Sequence, residues 1–359
     1  MWFFIILTQV LSMMTSAILW WLIQPKYRHH GIVLIAAVFM INNIALLYGL
    51  SEFWRERFYI YLVIGILQGF MVYAALITAV IGVTYSQLLK QPHRPKLIRA
   101  LATGVYTGIF GLAVFNAYVP VVKKLTVTTT KAMSKPLDIA LISDTHIGRW
   151  FGNRQLTKLA NLVDAQNPDV VVIAGDIMND STFYYDKNNM QASLSKLQAP
   201  LGVYAVLGNH DYSGNQDAIT QAVEGAGIKV LDNENVLLDD AVWLIGRSDV
   251  TDRRPRISAK ALVAQVDNTK PVIFLEHSLE SMDELKQAPM DLHVSGHTHG
   301  GQMFPMTTYM RKVRKILAHG VKKVGVTEFL VTSGYGFGPV PFRLGTRSEI
   351  WLITLQSAS

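Results

Sequence analysis

The sequence predicts a two-part chain, a four-helix transmembrane region followed by a layered α/β domain. Three observations predict it. Four apolar runs of about twenty residues or more open the chain, each long enough for a hydrocarbon core about 30 Å thick. Charge is scarce there: residues 1–122 hold eight Lys/Arg, two Glu and no Asp, which leaves 25 Lys/Arg against 24 Asp/Glu for the rest. From residue 137 onward, short β-rich runs alternate with helix-like segments.

The apolar runs cover residues 2–23, 31–50, 60–89 and 100–122. The first lacks a basic leader and a small-residue cleavage site, and another apolar run follows at once, so it reads as a retained helix. The third is too long for one straight span and is expected to tilt or to project into the interface. Gly104, Gly108 and Gly111 in the fourth offer a close helix contact, or are simply membrane-helix glycines. Lys26, Arg28, His29 and His30 follow the first run, and Lys90, Arg94, Lys96 and Arg99 precede the fourth. Placing these loops in the cytoplasm puts the C-terminal domain on the extracytoplasmic side. Arg55, Arg57, Lys123, Lys124, Lys131 and Lys135 oppose that choice, six Lys/Arg against six, but two Glu accompany the first pair.

Residues 123–136 are rich in Thr and Lys and read as a linker between a transmembrane domain, 1–122, and a catalytic domain, 137–359. In the latter, strands are expected at 137–143, 170–174, 203–207, 242–245, 272–275, 292–295, 329–332 and 350–355, with helices at 153–166 and 215–226. The absence of cysteine excludes disulfides, thiolate metal sites and a cysteine nucleophile. The near-neutral polar part disfavours nucleic acid as the partner, despite the chain's net charge of +7.

Histidine carries the chemistry. Asp144 and His146 follow the first predicted strand of the domain, Gly175-Asp176 the second, Gly208-Asn209-His210-Asp211 the third. Glu276-His277 follows the run 272–275, and Gly296-His297-Thr298-His299-Gly300 follows 292–295. Polar side chains delivered at successive strand ends converge on one edge of a sheet, where open α/β sheets place their sites. An extended backbone would point both members of Asp144/His146, and of His297/His299, to one face. Imidazole nitrogens, carboxylate oxygens and one amide oxygen, with no sulfur, suit divalent Mn, Fe or Zn.

These five blocks, D-x-H, G-D, G-N-H-D, H and G-H-x-H, complete and in order over residues 137–355, resemble the calcineurin-like metallophosphoesterases. Gly300-Gly301-Gln302 and the ending from Ser333 to Arg343 look like the membrane-anchored bacterial branch. The resemblance implies a layered β-sandwich flanked by helices and two divalent metal ions, Mn favoured, bridged by Asp176. Asp144, His146 and His299 would complete one ion, and Asn209, His277 and His297 the other. His210 would be the acid, with Asp211 holding its ring. Two departures stand out: Leu279 takes the place of a common proline, and Asn179 that of an Asp, so Asn179 or Asp180 would give outer support.

The implied activity is phosphoester hydrolysis by metal-activated hydroxide attack on phosphorus. A tether of four helices points to membrane lipids as surroundings and to a lipid or lipid-linked phosphoester as substrate. Alternatives are a cytoplasmic-face lipid-precursor pyrophosphatase of the UDP-diacylglucosamine type, and a non-catalytic metal-binding membrane sensor or scaffold. In residues 305–325, Arg311, Lys312, Arg314, Lys315, Lys322 and Lys323 interleave with apolar residues at helical spacing, either a basic amphipathic helix that docks on anionic lipid or an ordinary packed helix. Tyr335, Phe337, Pro339, Pro341 and Phe342 either wall an acyl group or cap the core; Arg343 either meets a substrate phosphate or pairs with Glu349. His293 is expected to be structural.

Overall fold

The computed structural model describes residues 2–50, 58–88, 90, 94–280, 282–312, 317–338 and 340–358. The chain divides into two compact units, one built on residues 1–115 and one on residues 116–338 and 342–359.

In the first unit the helices are α1 (Trp2–Ile23), α2 (Arg28–Leu50), α3 (Phe58–Val83) and α4 (Pro95–Tyr118), and all four are long and apolar enough to cross a membrane. After Val83, α3 continues as a π-helical stretch, Thr84–Leu88. The span of 30 residues is about 45 Å long, well over the ~30 Å core. The residues of α1 that lie buried are Thr8, Ser12, Thr15 and Ser16, while Trp2, Phe3 and Ile6 face outward. Thr8 Oγ1 lies 3.0 Å from Tyr61 Oη, Asn42 Nδ2 donates to Ser12 Oγ (2.7 Å), and Gln68 Nε2 donates to Asn42 Oδ1 (2.6 Å). On α1, polar groups inside and apolar groups outside invert the pattern of a helix in a water-soluble bundle, as suits a lipid surround, while Val38, Leu46 and Phe70 fill the interior from α2 and α3. A Cβ added at Gly104, Gly108 or Gly111 meets no atom within 4 Å, so these glycines make no close helix contact. Arg55 and Arg57, weighed above for orientation, lie outside the described residues.

The second unit is a four-layer sandwich. Its strands are β1 (Val121–Thr129), β2 (Leu137–Ile142), β3 (Val170–Ala174), β4 (Val203–Val206), β5 (Lys229–Val230), β6 (Glu234–Leu238), β7 (Val242–Gly246), β8 (Val272–Leu275), β9 (Leu292–Ser295), β10 (Gly320–Val324), β11 (Thr327–Val331) and β12 (Glu349–Ser357). They form two six-stranded sheets, ordered β1-β12-β2-β3-β4-β5 and β10-β11-β9-β8-β7-β6. Period-two alternation builds the layers: Leu137, Ile139 and Leu141 of β2 enter the core between the sheets, with Ile273 and Leu275 of β8. Ala140 and Ile142 point the other way, onto Leu156, Leu159 and Val163 of the helix Asn153–Asp164. Strands β2 to β5 run parallel, as do β7, β8, β9 and β11, so their C-terminal ends share a rim.

The linker expected at 123–136 is corrected. Its first half is strand β1, parallel to β12 from Val121↔Glu349 to Thr129↔Ser357. The Thr and Lys that suggested a linker alternate with Leu125 and Val127, and Lys on an edge strand deters further pairing. The basic segment 305–325 is not one helix: Met306–Lys312 is helical, residues 313–316 lie outside the described set, and Lys322 and Lys323 sit on β10. Gly320 and Gly325, both at positive φ, bracket that strand and allow a hairpin to β11.

Candidate metal centre

Each candidate donor stands immediately beyond a strand. Asp144 and His146 follow β2, Asp176 follows β3, Asn209 follows β4, His277 follows β8, and His297 and His299 follow β9. The parallel arrangement therefore brings all seven predicted ligands from two sheets to one rim.

They form two clusters that share Asp176. In one, His146 Nε2 lies 3.1 Å from His299 Nε2 and 3.6 Å from Asp176 Oδ2, and His299 Nε2 lies 3.6 Å from Asp144 Oδ1. In the other, His277 Nε2 is 3.3 Å from the same Asp176 Oδ2. Asn209 Oδ1 is 3.1 Å from His277 Nε2 and 2.8 Å from His297 Nδ1, and the two ring nitrogens are 3.2 Å apart. Donors held about 2.0–2.2 Å from one cation stand about 3.0–3.5 Å apart at tetrahedral or octahedral angles. The observed spacings are those of two coordination polyhedra joined at a carboxylate, so the residues fit a pair of divalent ions. His277 Nδ1 lies 2.8 Å from the carbonyl of Ala174; donating there, it turns Nε2 inward, where loss of its proton would free a lone pair for a cation.

The backbone corrects one expectation. Asp144, His146, Asp176, His297 and His299 all have positive φ, between 45° and 72°, so the paired donors are not extended. The chain curls left-handedly around each donor, a conformation that Asp and His tolerate better than β-branched residues. Two glycines permit the approach: a Cβ on Gly175 would fall 2.6 Å from His277 Nδ1, and one on Gly208 would strike the Asp176 carboxylate.

The electrostatics follow from burial. Burial pushes Asp144 up to about 6 and His146 down to about 4, and lowers His299 well below its usual value with help from His146 and Arg343. Desolvation opposes charge on Asp176 and His277 too, but there the mutual attraction wins. Asp176 is held far below the carboxylate range, and His277 is lifted to about 10. Without a cation, the proton of this pair resides on the imidazole.

The acid expected at His210 is placed beside both clusters, its ring centroid 4.8 Å from that of His146. Asp211 does not hold its ring. The buried Asp211 carboxylate accepts from the backbone N–H of Gly208 (2.9 Å), Met178 (2.8 Å) and Ile177 (3.1 Å), tying two ligand loops together. The ring partner is Asp180, whose Oδ1 lies 2.8 Å from His210 Nδ1. Adjacent residues on a helical turn point in different directions, so one of His210 and Asp211 faces the site and the other the loops behind it. Despite desolvation, Asp180 and Asp176 raise the His210 pKa.

Arg343 is buried and fills neither expected role. It donates to the carbonyls of Ser333 (2.7 Å) and Gly334 (3.2 Å), and Nη2 lies 3.3 Å from His299 Nδ1. Glu349 instead takes Lys123 (2.6 Å) and the indole N–H of Trp351 (2.8 Å). Tyr335, Phe337 and Phe342 are buried and cap the core, with Tyr335 against Phe151; Pro339 lies outside the described residues. His293 is structural, its Nε2 2.9 Å from Glu276 Oε1. The Arg247–Glu276 pair behind His277 was not legible, because nothing in the spacing of a lone Arg and a lone Glu announces a buried partner.

The family profile for calcineurin-like phosphoesterases matches residues 137–301, which contain every donor just described. The chain carries a calcineurin-like metallophosphoesterase domain. A metallophosphoesterase of Helicobacter pylori is 31% identical over 229 residues, 62% of this chain and 60% of that protein. A transmembrane protein with metallophosphoesterase domain from Danio rerio is 29% identical over 236 residues, 62% of this chain and 54% of that protein. The metallophosphoesterase YkuE of Bacillus subtilis is 26% identical over 282 residues, 72% of this chain and 95% of that protein. The chain thus spans between about half and three-fifths of the first two relatives.

Proposed function

We propose that this chain is a dinuclear-metal phosphoesterase that hydrolyses a phosphoester of a membrane lipid or lipid-linked substrate at the extracytoplasmic face. The observation that carries the proposal is the single carboxylate oxygen of Asp176, within 3.3 Å of one cluster's His277 and 3.6 Å of the other's His146. Asp144, His146, Asp176 and His299 would hold one divalent ion; Asp176, Asn209, His277 and His297 would hold the other, with Mn favoured over Fe or Zn. Such ions supply Lewis-acid polarisation of phosphoryl oxygens and an activated water.

The remaining roles fall to side chains. Asp180 holds His210 by Nδ1, raises the pKa of the ring and leaves Nε2 to donate a proton to the departing alkoxide. Asp211 acts on position alone, fixing the loop that presents Asn209 and His210. The lipid character rests on the four membrane-length helices, and the side of the membrane on the basic loops after α1 and before α4.

The purified chain loaded with Mn²⁺ should turn over bis-p-nitrophenyl phosphate, and Asp176→Ala and Asn209→Ala should abolish turnover. Metal binding without turnover of any ester would instead make the chain a sensor or scaffold. A periplasm-active reporter fused after Ser359 should be active; activity of a cytoplasmic reporter in its place would turn the domain to the other face and favour the pyrophosphatase.

A further inference from the structure

Beside the metal centre, outside the donor clusters, lies a groove of about 390 Å³. His299 and Gln302 line one side; Met306, Tyr309 and Met310, from the helix Met306–Lys312, line the other. The volume is that of small-molecule sites, about 300–1,000 Å³. Met306 is 50% exposed, Tyr309 47% and Phe304 51%, three large apolar side chains within six residues of a water-facing domain. The polar wall is already satisfied: Gln302 donates to the Phe342 carbonyl (2.8 Å) and accepts from Gly338 N (3.0 Å). A ligand there meets apolar surface and little demand for hydrogen bonds.

We infer that this groove receives the hydrocarbon chain of the phosphoester substrate, with Met306, Tyr309 and Met310 setting specificity for long-chain esters. The inference rests on the phosphoesterase reading above and deepens it. What fixes the occupant is continuity: His299 belongs at once to the groove wall and to the cluster around Asp144 and His146. An ester whose phosphorus stands at the clusters has its nearest apolar shelter there. Insertion of the same face into a lipid surface would not require a wall shared with the donors. Methionine is unbranched and fits chains of differing length.

The test uses the full chain with Mn²⁺ in amphipol and a series of alkyl p-nitrophenyl phosphates from ethyl to dodecyl. The reading is the slope of log kcat/KM against chain length. Each methylene buried should raise kcat/KM about twofold to fourfold until the groove is full. Met306→Gln and Met310→Gln should flatten the slope, whereas Val326→Gln, on the distant β10–β11 turn, should retain it. Equal slopes in all four proteins would overturn the inference and leave the phosphoesterase reading standing. A slope that emerges only when anionic vesicles are added would overturn it in favour of lipid-surface docking. Turnover of no ester would defeat the phosphoesterase reading; a photoreactive decyl phosphate would still test the groove, labelling residues 304–310 if the chain binds there and elsewhere if it does not.

Discussion

Asp180→Asn isolates the charge behind the proposed acid while retaining an oxygen that can face the ring. The His210 Nδ1–Asp180 Oδ1 separation is 2.8 Å, with side chains 29% and 45% exposed. Two unit charges that close attract by about 1.5 kcal/mol in bulk water. Measured exposed pairs give about 0.2–1 kcal/mol after screening and side-chain entropy. The variant removes an attraction of that order and so lowers the His210 pKa. The sign is fixed: Asp180 raises the pKa, so its neutralisation lowers it. A proton donor loses activity as pH rises through its pKa, so the alkaline limb of kcat moves to lower pH and the acid side stays put. The assay is kcat against pH on a diester with an alkoxide leaving group, run beside one that releases p-nitrophenolate. His210→Ala should cost about 10²–10⁴-fold on the first and far less on the second, which leaves without a proton. A uniform fall across pH in Asp180→Asn with no movement of the limb, or equal losses for His210→Ala on both esters, would refute the assignment.

Two further outcomes follow from buried groups. Glu276 accepts from Arg247 Nε (2.8 Å), Arg256 (2.9 Å) and His293 with no exposure of its own, so Glu276→Gln removes the buried negative charge that Arg247 and Arg256 share. It should cost about 3–5 kcal/mol, or about 6–20 °C in the domain's melting temperature, whereas Glu284→Gln, at a 35% exposed partner of Arg247, should cost under about 1 kcal/mol; similar melting points for the two would refute the difference. Because Glu276 is held below its usual pKa, its contribution is present above the unfolded value, about 4.3, and disappears as pH falls through the folded one. Metal uptake should release a proton near pH 7, chiefly from His277, which carries it in the metal-free pair with Asp176. Calorimetry in buffers of differing ionisation enthalpy should give differing heats, and buffer-independent heats would contradict that protonation state.

The layers were legible where apolar residues are dense. Strands β3 and β8 fall where Val170–Ala174 and Val272–Leu275 are unbroken apolar, as parallel strands buried on both faces require, and β9, Leu292–Ser295, is buried throughout although it alternates Leu and Val with His and Ser. Strands β1 and β10 were missed because edge strands carry lysine, and lysine in a run of Thr or Val imitates a linker or a helix face. The donors could be found because each must stand just past a strand. The Asp180–Asp211 exchange could not, since it depends on where one short helix, Asn209–Ser213, aims successive side chains. Arg343 was equally hidden: its partners are backbone carbonyls, which no residue type announces.

The left-handed donors bear on what organises the site. Five such residues, at about 1–3 kcal/mol each, would relax unless the surroundings over-determine them. The surroundings are the loops themselves. Asp144 N donates to Gly175 O (3.0 Å), His146 N to Asp176 O (3.0 Å), Gly296 N to His277 O (2.9 Å) and Gly336 N to Asp144 O (2.9 Å). Each ligand loop is thus bonded to a neighbouring loop, and Arg343 clamps the last of them from behind. The donors are spaced by protein–protein bonds, so ions entering there need not gather the loops. The cost of their geometry is borne by the two cores beneath the rim, which is why the site stands at the ends of the most completely buried strands.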